Sequence, residues 1–245
     1  MPLHNKNRFK PIFKQFLKLR ENVQNRQKVL KFKKKKWKSF LKFYKAKLKN
    51  FKKFKPLDHS KYFITKYGTR GTSYNKRFRD TLQAGKKIRL FYGNILKQYL
   101  KKKIKIILKK KKPNSKSLTK LELILIQLLE SRLDTVLYRA KFAPSMKSAK
   151  QLILHGKVYV NKTQVKSKAY VLKNGDIIYL KLNCLKLYEH HTINSLKWPI
   201  PPKHLIINYK ILQILFLGDI QSLNIANEFS FNLKLPKIIT NYNRQ

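Results

Sequence analysis

Apolar and polar residues recur along this chain with two different periods, and the change of period divides it. Trp37, Phe40, Leu41, Tyr44, Leu48 and Phe51 follow one another at helical spacing, the stripe of an amphipathic helix. Lysines fill the other faces of 28–55. Like charges three and four residues apart oppose an isolated helix in water, so packing of the aromatic stripe and neutralisation by phosphate are what would support this one. Pro56 ends it. Residues 57–75, with Gly68 and Gly71, read as a loop. A second helical region runs over 74–108, with Ile88, Phe91, Tyr92, Ile95 and Tyr99 as its stripe and Gly85 and Gly93 as points of bending or breakage. The stretch 109–117, KKKKPNSKS, is a polar linker, and 121–130 is a short buried helix.

From residue 131 the pattern becomes compact. Ser131 is an expected N-cap, with Asp134 placed as in a capping box, and Leu133, Val136, Leu137 and Ala140 line one helical face. Pro144 breaks the chain and Ser145 caps a second helix. That helix is apolar at Met146, Ala149, Leu152 and Ile153, and Gly156 closes it. The period then falls to two: Val158 and Val160 alternate with Lys157 and Tyr159. Asn161-Lys162 is a turn, Val165 marks a return strand, and Asn174-Gly175-Asp176 leads into a last strand at 177–180. Beyond 182 the charge thins. Leu205 to Asn208 reads as a strand, and the apolar run 205–217 is expected to pack on protein, either the N-terminal region or a neighbouring subunit.

Charge changes the picture most. The 245 residues hold 59 Lys+Arg against 10 Asp+Glu, a formal net charge of +49. So few acids leave most basic side chains without a partner inside the fold, and the chain therefore needs an external polyanion. RNA, DNA and an anionic membrane face all qualify. The lone Cys184 excludes an intramolecular disulfide and a CxxC zinc site, and the scattered histidines have no ligand spacing, so no metal and no cofactor are expected. The apolar stretches 121–129 and 211–217 fall far short of the ~20 residues that cross a bilayer. The first residues resemble neither a secretory signal nor an organellar import peptide. Lys, Asn, Ile, Phe and Tyr dominate, residues with A/T-rich codons, which fits synthesis inside an organelle.

Small residues, basic residues and turns fall in a known order in this stretch. The run RLD-xxx-YR-x-xF, then S-xxx-A-x-QL-xxx-G-x-V-x-VN, then Y-x-V-xx-GD-x-I resembles the S-four, or S4, RNA-binding domain. The preceding KKIRLFYGNILKQY and LLESRLD resemble the family of small-subunit ribosomal protein number four, and RFKPIFKQFLKLRENV is similar to its mitochondrial members. IITNYNRQ resembles that family's closing strand. The resemblance implies an α+β chain: a mainly helical N-terminal region, an inserted helix-helix-β-hairpin RNA-binding domain, and a C-terminal tail packing back on the N-terminal region. The corresponding divisions are 1–56 (Lys-rich extension and helix), 57–130 (helical rRNA-binding region), 131–182 (S-four domain) and 183–245 (C-terminal extension and tail). It further implies a structural constituent of the small ribosomal subunit that binds its rRNA at a multi-helix junction and supports assembly. Neighbours would be ribosomal protein S-five and mRNA at the channel by which it enters, inside the mitochondrion, on ribosomes of the matrix. The gene would be organellar. No membrane and no homo-oligomer are expected. The N-terminal zinc cysteines of some bacterial members are absent here.

The expected RNA-binding face comprises Lys141, Ser145, Lys147, Lys150, Gln151, His155, Lys157, Asn161 and Lys162 on the module, with Lys86, Arg89 and Lys97 ahead of it. Arg8, Lys10, Lys14, Arg20, Lys34, Lys35 and Lys38 are expected N-terminal phosphate contacts. Basic side chains meeting phosphates supply affinity that falls steeply with salt. Arg132-Leu133-Asp134 invites a rival reading, because pseudouridine synthases carry a catalytic aspartate in an RLD motif and some also bear an S-four domain. The alternative is thus a non-ribosomal RNA-binding or RNA-modifying protein. No large catalytic domain accompanies the motif, and an aspartate at a helix start has a structural reason to be there, so no catalytic residue is assigned.

Overall fold

The structure, a computed structural model, describes residues 14–19, 21–24, 31–52, 73–109, 118–181, 201–218, 229 and 235–244. The chain forms two compact units, one of residues 1–94 with 229–241 and the other of 95–228 with 242–245. The expected α+β architecture is present.

In the first unit, helix α1 (Lys14–Leu19) buries Phe16 and Leu19. Helix α2 (Lys35–Lys52) turns Trp37 and Phe40 inward. The stripe is held by ring contacts: Trp37 meets Phe32 at 4.9 Å and Phe40 edge-on at 5.7 Å, and Phe40 stacks on Tyr44 at 6.0 Å. Such pairs add to simple area burial, which is how a helix with Lys35, Lys36, Lys38, Lys42 and Lys45 on its exposed faces is held. Helix α3 (Tyr74–Phe91) buries Ile88, Leu90 and Phe91. Lys87 reaches Glu21 at 2.7 Å, and the Gln24 amide donates to the Leu90 carbonyl at 2.7 Å. Phe229 lies edge-on to Phe91 at 5.0 Å, so the C-terminal tail does pack back on the N-terminal region. Pro56 and nearly all of the 57–75 loop lie outside the described residues.

The expected single helical region over 74–108 is two helices. Gly93 and Asn94 both adopt positive φ, +74° and +61°, and end α3; Gly85 is accommodated within it. Helix α4 (Lys97–Lys109) follows, burying Leu100, Ile104 and Ile107, and then α5 (Leu118–Glu130), burying Leu121, Leu125, Ile126 and Leu129. Most of the 109–117 linker is outside the described residues.

The module begins with α6 (Leu133–Arg139) and α7 (Met146–Leu154). Three strands follow: β1 (Val158–Val160), β2 (Thr163–Gln164) and β3 (Ile177–Leu180). Two more, β4 (Leu205–Asn208) and β5 (Gln213–Phe216), add to the same sheet in the order β2-β1-β3-β5-β4, antiparallel at each pairing in register. The apolar run after 204 therefore extends the module's own sheet, with Ile178 opposite Ile214 and both fully buried.

Two local expectations are corrected. Ser131 does not cap α6. The cap position belongs to Arg132, which makes no side-chain cap bond: a guanidinium has only donors and cannot accept from first-turn amides, and here it donates to Asp134. The C-terminal segment read as a closing strand is a helix, α8 (Leu235–Arg244). Leu235, Ile238, Ile239 and Tyr242 are all buried, and their spacing of three, four and seven is helical. Pro236, in the first turn, costs no hydrogen bond there.

Candidate nucleic-acid interface

The interface rests on a rigid hub. The Arg132 guanidinium donates from Nε to Asp134 Oδ1 at 3.0 Å and from Nη2 to Oδ2 at 2.8 Å, with both side chains buried. The bidentate fork is the strong geometry for this pair. Arg132 also lies 5.1 Å from the centre of the Tyr99 ring, and Lys103 lies 5.6 Å from the same ring. Burial alone would lower the Arg132 pKa, but the bonds and charge of Asp134, with Tyr99, raise it. A second fork joins Arg139 to Glu130 at 3.0 and 2.7 Å, also buried. The Leu133 amide donates to the Tyr170 carbonyl at 2.9 Å, tying the start of α6 to the segment before β3.

The turns are fixed as firmly. Asn161 and Lys162 both have positive φ, +48° and +71°, the two-residue hairpin geometry that matches strand twist. The Asn161 side chain donates from Nδ2 to Asp176 Oδ1 at 2.8 Å, and its Oδ1 accepts from the Ile177 backbone amide at 3.0 Å. Asp176 accepts from the Lys173 amide at 2.8 Å with its other oxygen. One buried carboxylate thus pins both turns. Ser145 caps α7 by accepting from the Ser148 amide at 3.2 Å. Gly156 has φ +64°, and a Cβ there would collide with the Gln164 side-chain amide nitrogen.

The consequence is electrostatic. Asp134 and Asp176, the acids of 131–181, are both buried and both engaged. Every exposed formal charge of this stretch is positive: Lys147, Lys162, Lys166, Lys168, Lys173 and Lys181. Lys147, Gln151 and His155 stand exposed on the outer side of α7 and at its end. Lys150, half-buried, leans 3.7 Å from Asp134; burial, with repulsion from Arg132 and Lys168, holds its pKa below the ordinary value against the pull of Asp134. Lys168, exposed in the loop after β2, is a residue the sequence pattern passed over because a loop lysine carries no periodic signal. Lys141 is half-buried at φ +66°, and burial, with Arg139 beside it, draws its pKa down to about 8.

The remaining expected residues divide. Lys157 is half-buried at the start of β1, and Ser145 and Asn161 have their side chains engaged within the module. Lys97 is exposed at the start of α4. Lys86, exposed, and Arg89, half-buried, stand on α3 in the first unit. In that unit Lys14, Lys34, Lys35 and Lys38 are exposed, while Arg8, Lys10 and Arg20 lie outside the described residues. No helix among the described residues is long and apolar enough to cross a membrane.

The S4 domain family matches residues 131–178, the stretch that holds α6, α7, the β1–β2 hairpin and the start of β3. Beyond the domain, the chain is similar to small ribosomal subunit protein uS4 of Brucella anthropi, Brucella ovis and Brucella suis. It is 35% identical to each over 126 residues, 51% of this chain and 58% of each relative. The match thus spans little more than half the length of those relatives. The resemblance to the family of small-subunit ribosomal protein number four, read from the motifs, is borne out.

Proposed function

We propose that this chain is a structural protein of the small ribosomal subunit that binds small-subunit rRNA and catalyses nothing. The observation that carries the reading is the conjunction of an S4 module whose exposed charges are all positive with uS4 similarity that continues beyond the module. A-form RNA offers phosphates, 2′-hydroxyls and shape rather than readable base edges, and a fixed lattice of lysines suits such a target. The finer reading has the chain holding a multi-helix rRNA junction during assembly, beside ribosomal protein S-five and the channel by which mRNA enters. Residue usage typical of A/T-rich codons fits an organellar gene, and the likeness of RFKPIFKQFLKLRENV to mitochondrial members favours a mitochondrial ribosome.

The RNA-modifying alternative needs Asp134 to reach a substrate. Asp134 is 1% exposed and gripped by Arg132, the environment of a structural carboxylate. Sedimentation of a mitochondrial lysate tests the reading: the chain should travel with the small subunit after a moderate salt wash. Recovery only in fractions free of RNA would refute it.

A further inference from the structure

Among the described residues, the two edges of the module's sheet differ in kind. At one edge β2 is two residues long, Thr163–Gln164, polar and exposed, with Lys162 and Lys166 beside it. Short, polar, lysine-flanked strands are how proteins keep an edge from pairing. At the other edge β4 is Leu205-Ile206-Ile207-Asn208, with no charge and no proline, and it lies outside the S4 match. Its backbone is set for pairing. The Leu217 amide bonds the His204 carbonyl at 2.9 Å, and the register places Ile206 opposite Leu215 and Asn208 opposite Gln213. Antiparallel ladders alternate, so 204, 206 and 208 bond inward to β5. The carbonyls of Leu205 and Ile207 and the Ile207 amide face outward, while the Leu205 amide is turned onto the Pro202 carbonyl at 3.1 Å.

The row of side chains beside this edge is also uncharged. Ile177, Leu215 and Ile206 stand opposite one another across three strands. Ile206 is 55% exposed and Ile177 36%. In a chain with 59 basic residues, a lysine-free row is a poor seat for phosphate. Exposed Lys203 and Lys210 bracket the strand. A second copy of β4 in either orientation would bring lysine ends alongside lysine ends, and like charges across a strand pair are unfavourable. An apolar strand with acidic ends has the opposite balance.

We propose that β4 is a docking edge for an extended, apolar, acid-flanked segment of another protein, which joins the sheet as a sixth strand beyond β4. The partner's backbone bonds Leu205 and Ile207, its apolar side chains continue the Ile177–Leu215–Ile206 row, and its acids meet Lys203 and Lys210.

The test uses the full-length chain and a synthetic peptide of about eight residues, Val-Ile-Val-Ile flanked by two glutamates at each end. Fluorescence anisotropy should show binding, and hydrogen exchange at the Ile207 amide should slow by about tenfold or more when the peptide binds. The same peptide N-methylated at alternate residues has equal charge and should bind about tenfold more weakly, as should a lysine-flanked version. Ile207→Pro removes the outward amide and should abolish peptide binding while rRNA binding persists. Equal binding of the N-methylated or lysine-flanked peptide would overturn the proposal. So would an Ile207 amide already protected without peptide, which would mean that the chain covers its own edge. A dimer in sedimentation would assign the edge to a second copy instead.

Discussion

Arg132 and Asp134, two residues apart, face each other in a buried, two-pronged ion pair at 3.0 and 2.8 Å. Through Arg132 the pair reaches Tyr99 on α4, and through Asp134 it reaches Lys150 on α7. One carboxylate thus links the helix ahead of the module to the helix that presents Lys147 and Gln151.

Removing that carboxylate leaves a guanidinium buried without a counter-charge. Asp134→Ala should destabilise the fold by about 3–5 kcal/mol, read as a lowered midpoint in urea unfolding. The double variant Arg132→Met/Asp134→Leu should recover most of the loss, because no charge is then left unpaired. A full-strength loss in the double variant would show that the pair itself, rather than an orphaned charge, sets the cost.

Asn161 and Lys162 are neighbours in one turn with separable roles. Asn161→Ala removes both side-chain bonds, the one to Asp176 and the one from the Ile177 amide, while the Asn161 backbone amide keeps its bond to the Ile177 carbonyl, and leaving buried Asp176 short of a donor should cost about 1–3 kcal/mol of stability. Lys162→Gln touches only an exposed charge. It should leave stability within about 0.5 kcal/mol and reduce the slope of log affinity for rRNA against log salt by about one. Titrations at several salt concentrations, paired with unfolding curves, separate the two effects.

His204 is 2% exposed, edge-on to Phe216 at 5.9 Å, and among the described residues neither ring nitrogen has a hydrogen-bond partner. Burial lowers its pKa; Glu130 opposes this and Arg139 adds to it. Its folded value therefore lies below the unfolded value of about 6.5. Above that value both states are neutral and His204 adds no pH dependence. As pH falls through it, the unfolded chain takes up a proton that the folded chain resists, so stability declines by up to about 1.4 kcal/mol per pH unit until the folded value is reached. His204→Phe should flatten this acid-side decline in unfolding free energy while leaving stability near pH 7.5 almost unchanged.

The local signals of the module were legible in the sequence because each is complete within a few residues. Ser145 and Gly156 bound α7 as their chemistry requires, and Asn161-Lys162 and Asn174-Gly175 turn where expected. What escaped depends on distance. Nothing in residues 131–134 distinguishes a capping box from a guanidinium fork, since both use the same acid at the same place. Lys168 stands exposed in a loop, where no period marks it. β5 reaches β3 across an intervening segment, and no periodicity in either strand names its partner. The helix α8 was legible in Leu235, Ile238, Ile239 and Tyr242, but the resemblance to a closing strand outweighed that spacing.

Crosslinking of intact small subunits, with both the peptide and the RNA nucleotide identified, tests the central claim most directly. The account predicts crosslinks from the Lys147, Lys150, Lys162 and Lys168 face that converge on one junction of the small-subunit rRNA. Crosslinks scattered over unrelated RNAs, or a module face that yields none while the chain still sediments with the subunit, would contradict it.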